Sequence, residues 1–221
     1  MSKISIVFPT RNRPNNLRRF WDSIINTAID KPEVVVYIDN DDLSSAVVAK
    51  ELGFNYMQGS RHTLSQCYND VASLATSDIL MFGADDIVFR EKSWDEKVVA
   101  EFDKVKDKIL FVYGHDGHRP DKLGTHGFLH RKWIDTVGYL LPPYFSTWYV
   151  DNWITDVSLA LNRQVYFPFI LAEHMHHCCG KAEHDITYIE AEAKQNADTK
   201  KWNETTALRQ ADIEKLRKVM N

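Results

Sequence analysis

Cysteine is scarce, with three residues in 221; Cys178 and Cys179 are adjacent and Cys67 falls in a helical pattern. That number and spacing make no disulfide framework and suit a reducing compartment. No apolar run approaches the ~18 residues that a membrane span requires. The opening strand at residues 4–8 is closed by Pro9, after too few apolar residues for a signal-peptide core. The expectation is a soluble, cytoplasmic chain. Glycine is sparse as well, nine residues, and neither GxGxxG nor GxxxxGKS/T occurs, which argues against a dinucleotide-binding Rossmann loop and a P-loop. Nor is there an excess of positive charge. With 27 Lys and Arg against 31 Asp and Glu, the net charge of −4 gives no global pull toward nucleic acid. Positive charge concentrates only in Arg11, Arg13, Arg18 and Arg19, a segment able to meet phosphates or to lie as a solvated loop and helix face.

What is present is an ordinary globular composition, 44% hydrophobic and 26% charged, which argues against disorder. After the strand at 4–8, Leu17, Phe20, Trp21, Ile24 and Ile25 follow helical spacing. The run 34–38 reads as a strand buried on both faces and ends in Asp39-Asn40-Asp41-Asp42. A short helix through Leu52, a weaker strand at 54–57, a helix carrying Leu64, Cys67, Tyr68, Val71, Ala72 and Ala75, and a strand at 79–82 follow. Such alternation implies right-handed crossovers and a mostly parallel sheet flanked by helices. Further on, a helix is expected around Trp94, Val98, Phe102 and Val105, strands at 109–113, 127–130 and 165–170 (the last interrupted by Pro168), and a helix opened by Asp151. Residues 114–124 read as a polar surface loop, and from about Asp185 the tail is polar and helical, with Ile213, Leu216 and Met220 on one face. The expected organisation is a single α/β domain over 1–221, with halves at 1–92 and 93–184 and a helical C-terminal segment at 185–221.

Polar clusters stand where the strands end: Thr10 to Arg13, Asp39 to Asp42, and Asp85-Asp86. In a parallel sheet those ends share one rim, so a ligand with a base, a ribose and a diphosphate can span them. Paired carboxylates there suit a divalent cation held against phosphate oxygens. The rival reading of Asp85-Asp86 is a turn or helix cap.

The opening Ser5-Ile6-Val7-Phe8-Pro9-Thr10-Arg11-Asn12-Arg13-Pro14, the segment Tyr37-Ile38-Asp39-Asn40-Asp41, Asn69 in the helix before Gly83-Ala84-Asp85-Asp86, and the stretch from Gly127 to Tyr139 together resemble the family-2-like GT-A glycosyltransferases, compact phage-type members included, over roughly residues 4 to 160. The resemblance implies a GT-A fold and a nucleotide-sugar donor, with a uridine-linked sugar expected. It implies donor contacts from Pro9, Thr10, Arg11, Arg13, Asp39, Asp41, Asn69 and Gly83. Asp85 matches the metal-ligating last aspartate of the Asp-X-Asp motif, with Asp86 beside it. Gly83 stands where the first aspartate is usual. Asp151, in Tyr149-Val150-Asp151-Asn152-Trp153, matches the helix start where inverting members keep a general base, its rival role being a helix N-cap.

In the segment from Glu173 to Asp185, His174 and His176 point the same way if extended, and one could complete the shell of Mn²⁺ or Mg²⁺. A structural zinc site from His176, Cys178, Cys179 and His184 is the rival, weakened by the missing spacer between the cysteines. Lys181 is a candidate for the diphosphate, and Trp148 and Tyr149 for the acceptor platform. The expected activity is metal-assisted, inverting sugar transfer to a saccharide, a small-molecule hydroxyl or a hydroxymethylated base in DNA. The other classes are a sugar nucleotidyltransferase and a degenerate nucleotide- or metal-binding module.

Overall fold

A computed structural model describes residues 3–119 and 123–221. Its first part alternates β1 (Ile4–Thr10), α1 (Pro14–Ile25), β2 (Glu33–Asp39), α2 (Leu43–Glu51), β3 (Asn55–Gly59), α3 (Leu64–Leu74) and β4 (Ile79–Phe82). The unbroken apolar runs of β1, β2 and β4 are buried almost throughout because helices cover both faces of their sheet. Pro14 starts α1, where its fixed φ suits the first turn, and Leu17, Phe20 and Ile24 form the buried stripe. Thr63 caps α3, and Asp42 caps α2.

The chain continues through β5 (Ile87–Phe89), α4 (Trp94–Asp103), β6 (Phe111–His115), β7 (Gly127–His130), α5 (Arg131–Val137), α6 (Val150–Leu161), β8 (Gln164–Ile170), β9 (Ala172–His174), α7 (Ile186–Glu204) and α8 (Thr206–Val219). The main sheet has the order β3-β2-β1-β4-β7-β6-β8. Its first four strands are parallel, β7 runs antiparallel to both β4 and β6, and β8 is parallel to β6. Because Gly127 at the start of β7 lies opposite Phe82 at the end of β4, residue 126 arrives on the rim where β1, β2 and β4 end. A second sheet pairs β5 with β9 and sets His174 across from Ile87, the neighbour of Asp86.

The expected strands and helices of the first half are all present. Three features differ from expectation. α5 has no counterpart in the periodicity reading, and the segments after Asp86 and before His176 form a small sheet of their own. Pro168 does not break β8: it lies at the sheet edge, where the register jumps from Gly114 opposite Phe167 to His115 opposite Ile170. Of the expected loop at 114–124, Gly114 and His115 belong to β6, and residues 120–122 lie outside the described residues.

The C-terminal helices attach through buried polar groups together with apolar contacts of Trp202, Ile213 and Leu216 to the core. Along α7 only Tyr188 and Asp198 are buried; in α8, Asp212, Ile213 and Leu216 are. Asp198 gathers the amides of Ser146, Thr147 and Trp148 at 2.9, 2.8 and 2.9 Å. Asp212 accepts the Tyr139 hydroxyl and, at 3.2 Å, the Trp153 indole N–H. Met220 lies half-buried just past the end of α8. Among the described residues no helix is long and apolar enough to cross a membrane.

Candidate active site

The turn after β4 carries Asp85 and Asp86 into the rim, 4% and 5% exposed. Asp85 spends both carboxylate oxygens on protein donors: Thr10 Oγ1 at 2.6 Å and Arg13 Nη1 at 3.2 Å. Asp86 accepts the Tyr188 hydroxyl at 2.8 Å on one oxygen and lies 3.4 Å from His174 Nε2 on the other. Burial pushes Asp85 up to about 6 against the pull of Arg13, with Asp86 adding to the rise. Burial would raise Asp86 too, but His174 and Tyr188 outweigh it and hold this carboxyl well below the ordinary range. The two neighbours are thus shifted in opposite directions.

Asp86, His126 and His174 bring candidate ligand atoms within 4.8 Å of one another. Asp86 Oδ1, His174 Nδ1 and both ring nitrogens of His126 are buried without a hydrogen bond of ordinary geometry among the described residues. Orphaned buried polar atoms are costly, and two imidazoles with a carboxylate are a donor set that fits Mn²⁺. Burial and the neighbouring His174 hold His126 down to about 4, so it stays neutral and able to ligate. Burial also disfavours charge on His174, but Asp86 reverses the effect and raises it. His126 was not foreseen. Its only sequence signal is its place before a short strand, and the strand's direction is what brings it to the rim.

On the donor side, Arg11 Nε lies 3.4 Å from Asp39 Oδ2, and Arg61 Nε reaches the same oxygen at 3.4 Å. Burial raises Asp39 against the pull of Arg11. Asn12 is held at φ 53° while its amide donates to Asp42 at 2.6 Å, so Asp42 fixes the turn that carries the arginines. Asp41 is exposed at the rim. Asn69, expected at the donor, has its amide committed to the backbone of Leu140 and Leu141 at 2.8 to 3.0 Å. Gly83 faces the core: a Cβ there would lie 2.8 Å from Ile6 Cγ2, so an aspartate would meet apolar side chains instead of a ligand. Pro9 lies within β1, partly buried.

The start of α7 closes over this rim. Asp185 takes two hydrogen bonds from Arg13, at 2.8 and 2.9 Å, and Glu190 binds Arg11 at 3.1 Å and Arg61 at 3.0 Å. The Arg13 guanidinium sits 4.6 Å from the centroid of the Tyr188 ring. Asp185, Tyr188 and Glu190 therefore belong to the site although they lie on a polar helix whose pattern carries no such signal.

The remaining expected residues are distributed as follows. β9 ends at His174, so the alternation argument does not extend to His176, which caps a 3₁₀ turn (His177–Cys179) through Nδ1 and stacks on His118 with centroids 6.0 Å apart. Lys181 pairs with Glu173 at 2.7 Å, and Glu173 alternates with His174 along β9. Asp151 sits in the first turn of α6, accepts the Asn152 amide at 2.8 Å and has no ion-pair partner among the described residues. Burial raises its pKa, and His174 and Arg119 lie within electrostatic reach. The cap position itself is Tyr149, at φ 72°. Trp148 and Tyr149, expected at the acceptor, turn to the C-terminal helices: the indole donates to the Ala191 carbonyl at 2.7 Å, and Tyr149 meets Thr199 at 2.9 Å and stacks on Trp202.

Comparison with known proteins bears on this geometry. A model of the family "Glycosyl transferase family 2" matches residues 5–155, more than half the chain. The O-antigen biosynthesis protein RfbC of Myxococcus xanthus is 25% identical over 186 residues, covering 74% of this chain and 14% of that protein, so the chain spans only a small part of this relative. Among solved structures, the mannosyltransferase PcManGT from Pyrobaculum calidifontis, in complex with GDP-Man and Mn²⁺, superposes with a TM-score of 0.63 at 15% identity, over 78% of this chain and 56% of its own. Glucosyl-3-phosphoglycerate synthase from Mycobacterium tuberculosis, in a complex with Mn²⁺, UDP and glucosyl-3-phosphoglycerate, gives 0.58 at 14% identity, over 78% and 72%. The chain belongs to glycosyl transferase family 2 and has the GT-A fold.

Proposed function

We propose that this chain transfers a sugar from a nucleotide-sugar donor to an acceptor hydroxyl with inversion at the anomeric carbon, assisted by Mn²⁺ or Mg²⁺ held by Asp86, His126 and His174. The carrying observation is that group of converging, buried candidate ligand atoms on the same rim as Asp39 and the arginines. When bound, such a cation neutralises charge on a departing nucleoside diphosphate. The rest falls to the chain. Asp39 receives the base, while Arg11, Arg13 and Arg61 supply guanidinium N–H groups to phosphate oxygens. Asp85 positions Thr10 and Arg13. Asp151 accepts the proton of the attacking hydroxyl, its raised pKa making it the stronger base, and direct attack assisted by one base inverts the centre. Because Asp85 and Asp86 are buried beneath the start of α7, the donor is admitted only when Asp185 and Glu190 release the arginines.

Uridine-linked donors are the first choice, and the structural neighbours' complexes with UDP and with GDP-Man define the panel to test. A saccharide acceptor accords with the O-antigen role printed for the curated relative. Nothing favours DNA: Arg18 pairs with Glu51, Arg19 with Asn16, and Arg11 and Arg13 face inward partners, so the arginine cluster builds no free basic surface. The test is release of nucleoside diphosphate from UDP- and GDP-sugars with Mn²⁺, with and without candidate saccharides. Transfer that disappears in Asp86→Asn supports the reading. Donor binding without turnover across the panel sinks it in favour of a binding module, and nucleotidyl transfer to a sugar phosphate in favour of the other enzyme class.

A further inference from the structure

A second group of metal-ligating side chains lies outside the cleft, where the 3₁₀ turn after β9 meets α7. His184 Nε2 and His177 Nε2 approach the same oxygen of Glu192, at 3.0 and 3.5 Å. The two imidazoles stack with centroids 4.4 Å apart and planes 23° apart. All three candidate ligand atoms lie within 4.8 Å of one another. They come from three separate places in the chain: the turn, the loop before α7, and the second turn of α7 itself.

We propose that His177, His184 and Glu192 form a second site for a divalent transition metal of the zinc type, fastening α7 to the turn that follows β9. The spacing of the ligand atoms suits the ion. Bonds of about 2.0–2.1 Å in a tetrahedron set ligand atoms roughly 3.3–3.4 Å apart, and the two nitrogen-to-oxygen separations straddle that value. Two imidazoles and one carboxylate, with a position left to water, are a known zinc donor set. The two rings lie face to face, so taking up the ion requires one imidazole to rotate until both Nε2 lone pairs aim at a common point.

Of the residues anticipated from sequence, His184 is retained in this set; His176, which caps the turn through Nδ1, converges instead with His177 and Cys178 in a neighbouring group, and Cys179 lies outside both. The site's position gives it a consequence. The His177 ring also packs 4.4 Å from Tyr188, which donates to Asp86, and α7 carries Asp185 and Glu190 onto the arginines. A metal here holds the closed arrangement of α7.

The proposal is independent of sugar transfer and is tested by metal binding alone. In Asp86→Asn protein, stripped with chelator, titration calorimetry with Zn²⁺ is expected to show one equivalent bound. Adding His184→Ala, or separately Glu192→Gln, is expected to weaken it on the order of 100-fold or more, beyond the loss typical of an outer-shell change. Co²⁺ substitution is expected to give the visible absorption of a four-coordinate ion in Asp86→Asn and not in the double variants. His184 and Glu192 are 45% and 46% exposed, so both substitutions are compatible with folding, which circular dichroism checks. Zinc binding by Asp86→Asn that is indifferent to both added substitutions, or no zinc binding by Asp86→Asn, overturns the proposal.

Discussion

If the donor diphosphate binds Arg11, Arg13 and Arg61 as proposed, it competes with the carboxylates of α7 for them, and removing those carboxylates is expected to tighten nucleotide binding. The informative variant is Asp185→Asn with Glu190→Gln. Asparagine preserves the α7 cap, in which Asp185 accepts the amides of Thr187 and Tyr188 at 3.0 and 3.3 Å. Asp185 and Glu190 side chains are 37% and 35% exposed, so solvent screens both pairs. Ion pairs of that exposure contribute about 0.2–1 kcal/mol each, the bidentate Arg13 pair belonging at the upper end. Loss of both therefore favours the open arrangement by about 1–2 kcal/mol, and the apparent dissociation constant falls in proportion to the gain in the open fraction. That corresponds to about 5- to 30-fold tighter binding. Titration calorimetry of UDP and of GDP with Mn²⁺ measures it directly, and raising the salt is expected to narrow the gap between variant and wild type. An unchanged or weaker affinity would refute the reasoning, because it would mean that the carboxylates assist the nucleotide or that the arginines never meet it.

Three further outcomes are expected. Asp151→Asn lowers kcat by about 10²–10⁴ with little change in nucleotide affinity, the signature of a lost general base, as steady-state kinetics and calorimetry together reveal; an equal loss in affinity contradicts the role. Gly83→Ala, which sets a Cβ 2.8 Å from Ile6 Cγ2, destabilises the fold by about 1–3 kcal/mol in denaturant unfolding, and a neutral result contradicts the close contact. Asp42→Ala costs about 1–2 kcal/mol as a lost helix cap. Burial alone would raise the Asp42 pKa, but hydrogen bonds from Ser45, Asn12 and Ser44 hold it below 3.8. Its stabilisation is therefore complete above the ordinary carboxylate pKa and vanishes as pH falls through the lowered value. The stability gap between wild type and Asp42→Ala must close in acid.

The sheet was legible because β1, β2 and β4 are continuous apolar runs whose polar ends could only gather on one edge. Asp39, Asp85, Asp86 and Asp151 stood out for the same reason: carboxylates at strand or helix ends are local features. Periodicity does not report strand direction, so His126 was invisible until β7 was seen to run against β4. Long-range pairings were equally hidden. Asn69 looks like a ligand in sequence, but its partners at Leu140 and Leu141 are more than 70 positions away. The same holds for Trp148 and Tyr149, whose polar tips are taken by a helix that begins well downstream. Gly83 is the converse case: an absent aspartate reads as a degraded motif, whereas the space beside Ile6 explains the glycine.

Asp198 ties the three amides that lead into Tyr149, and hence into the turn bearing Asp151, to the same helix that covers the donor cleft. If a nucleotide displaces α7 and Asp151 is the base, as proposed, that displacement pulls on the base's scaffold, and the expected consequence is an ordered reaction in which the activated sugar settles before the receiving hydroxyl.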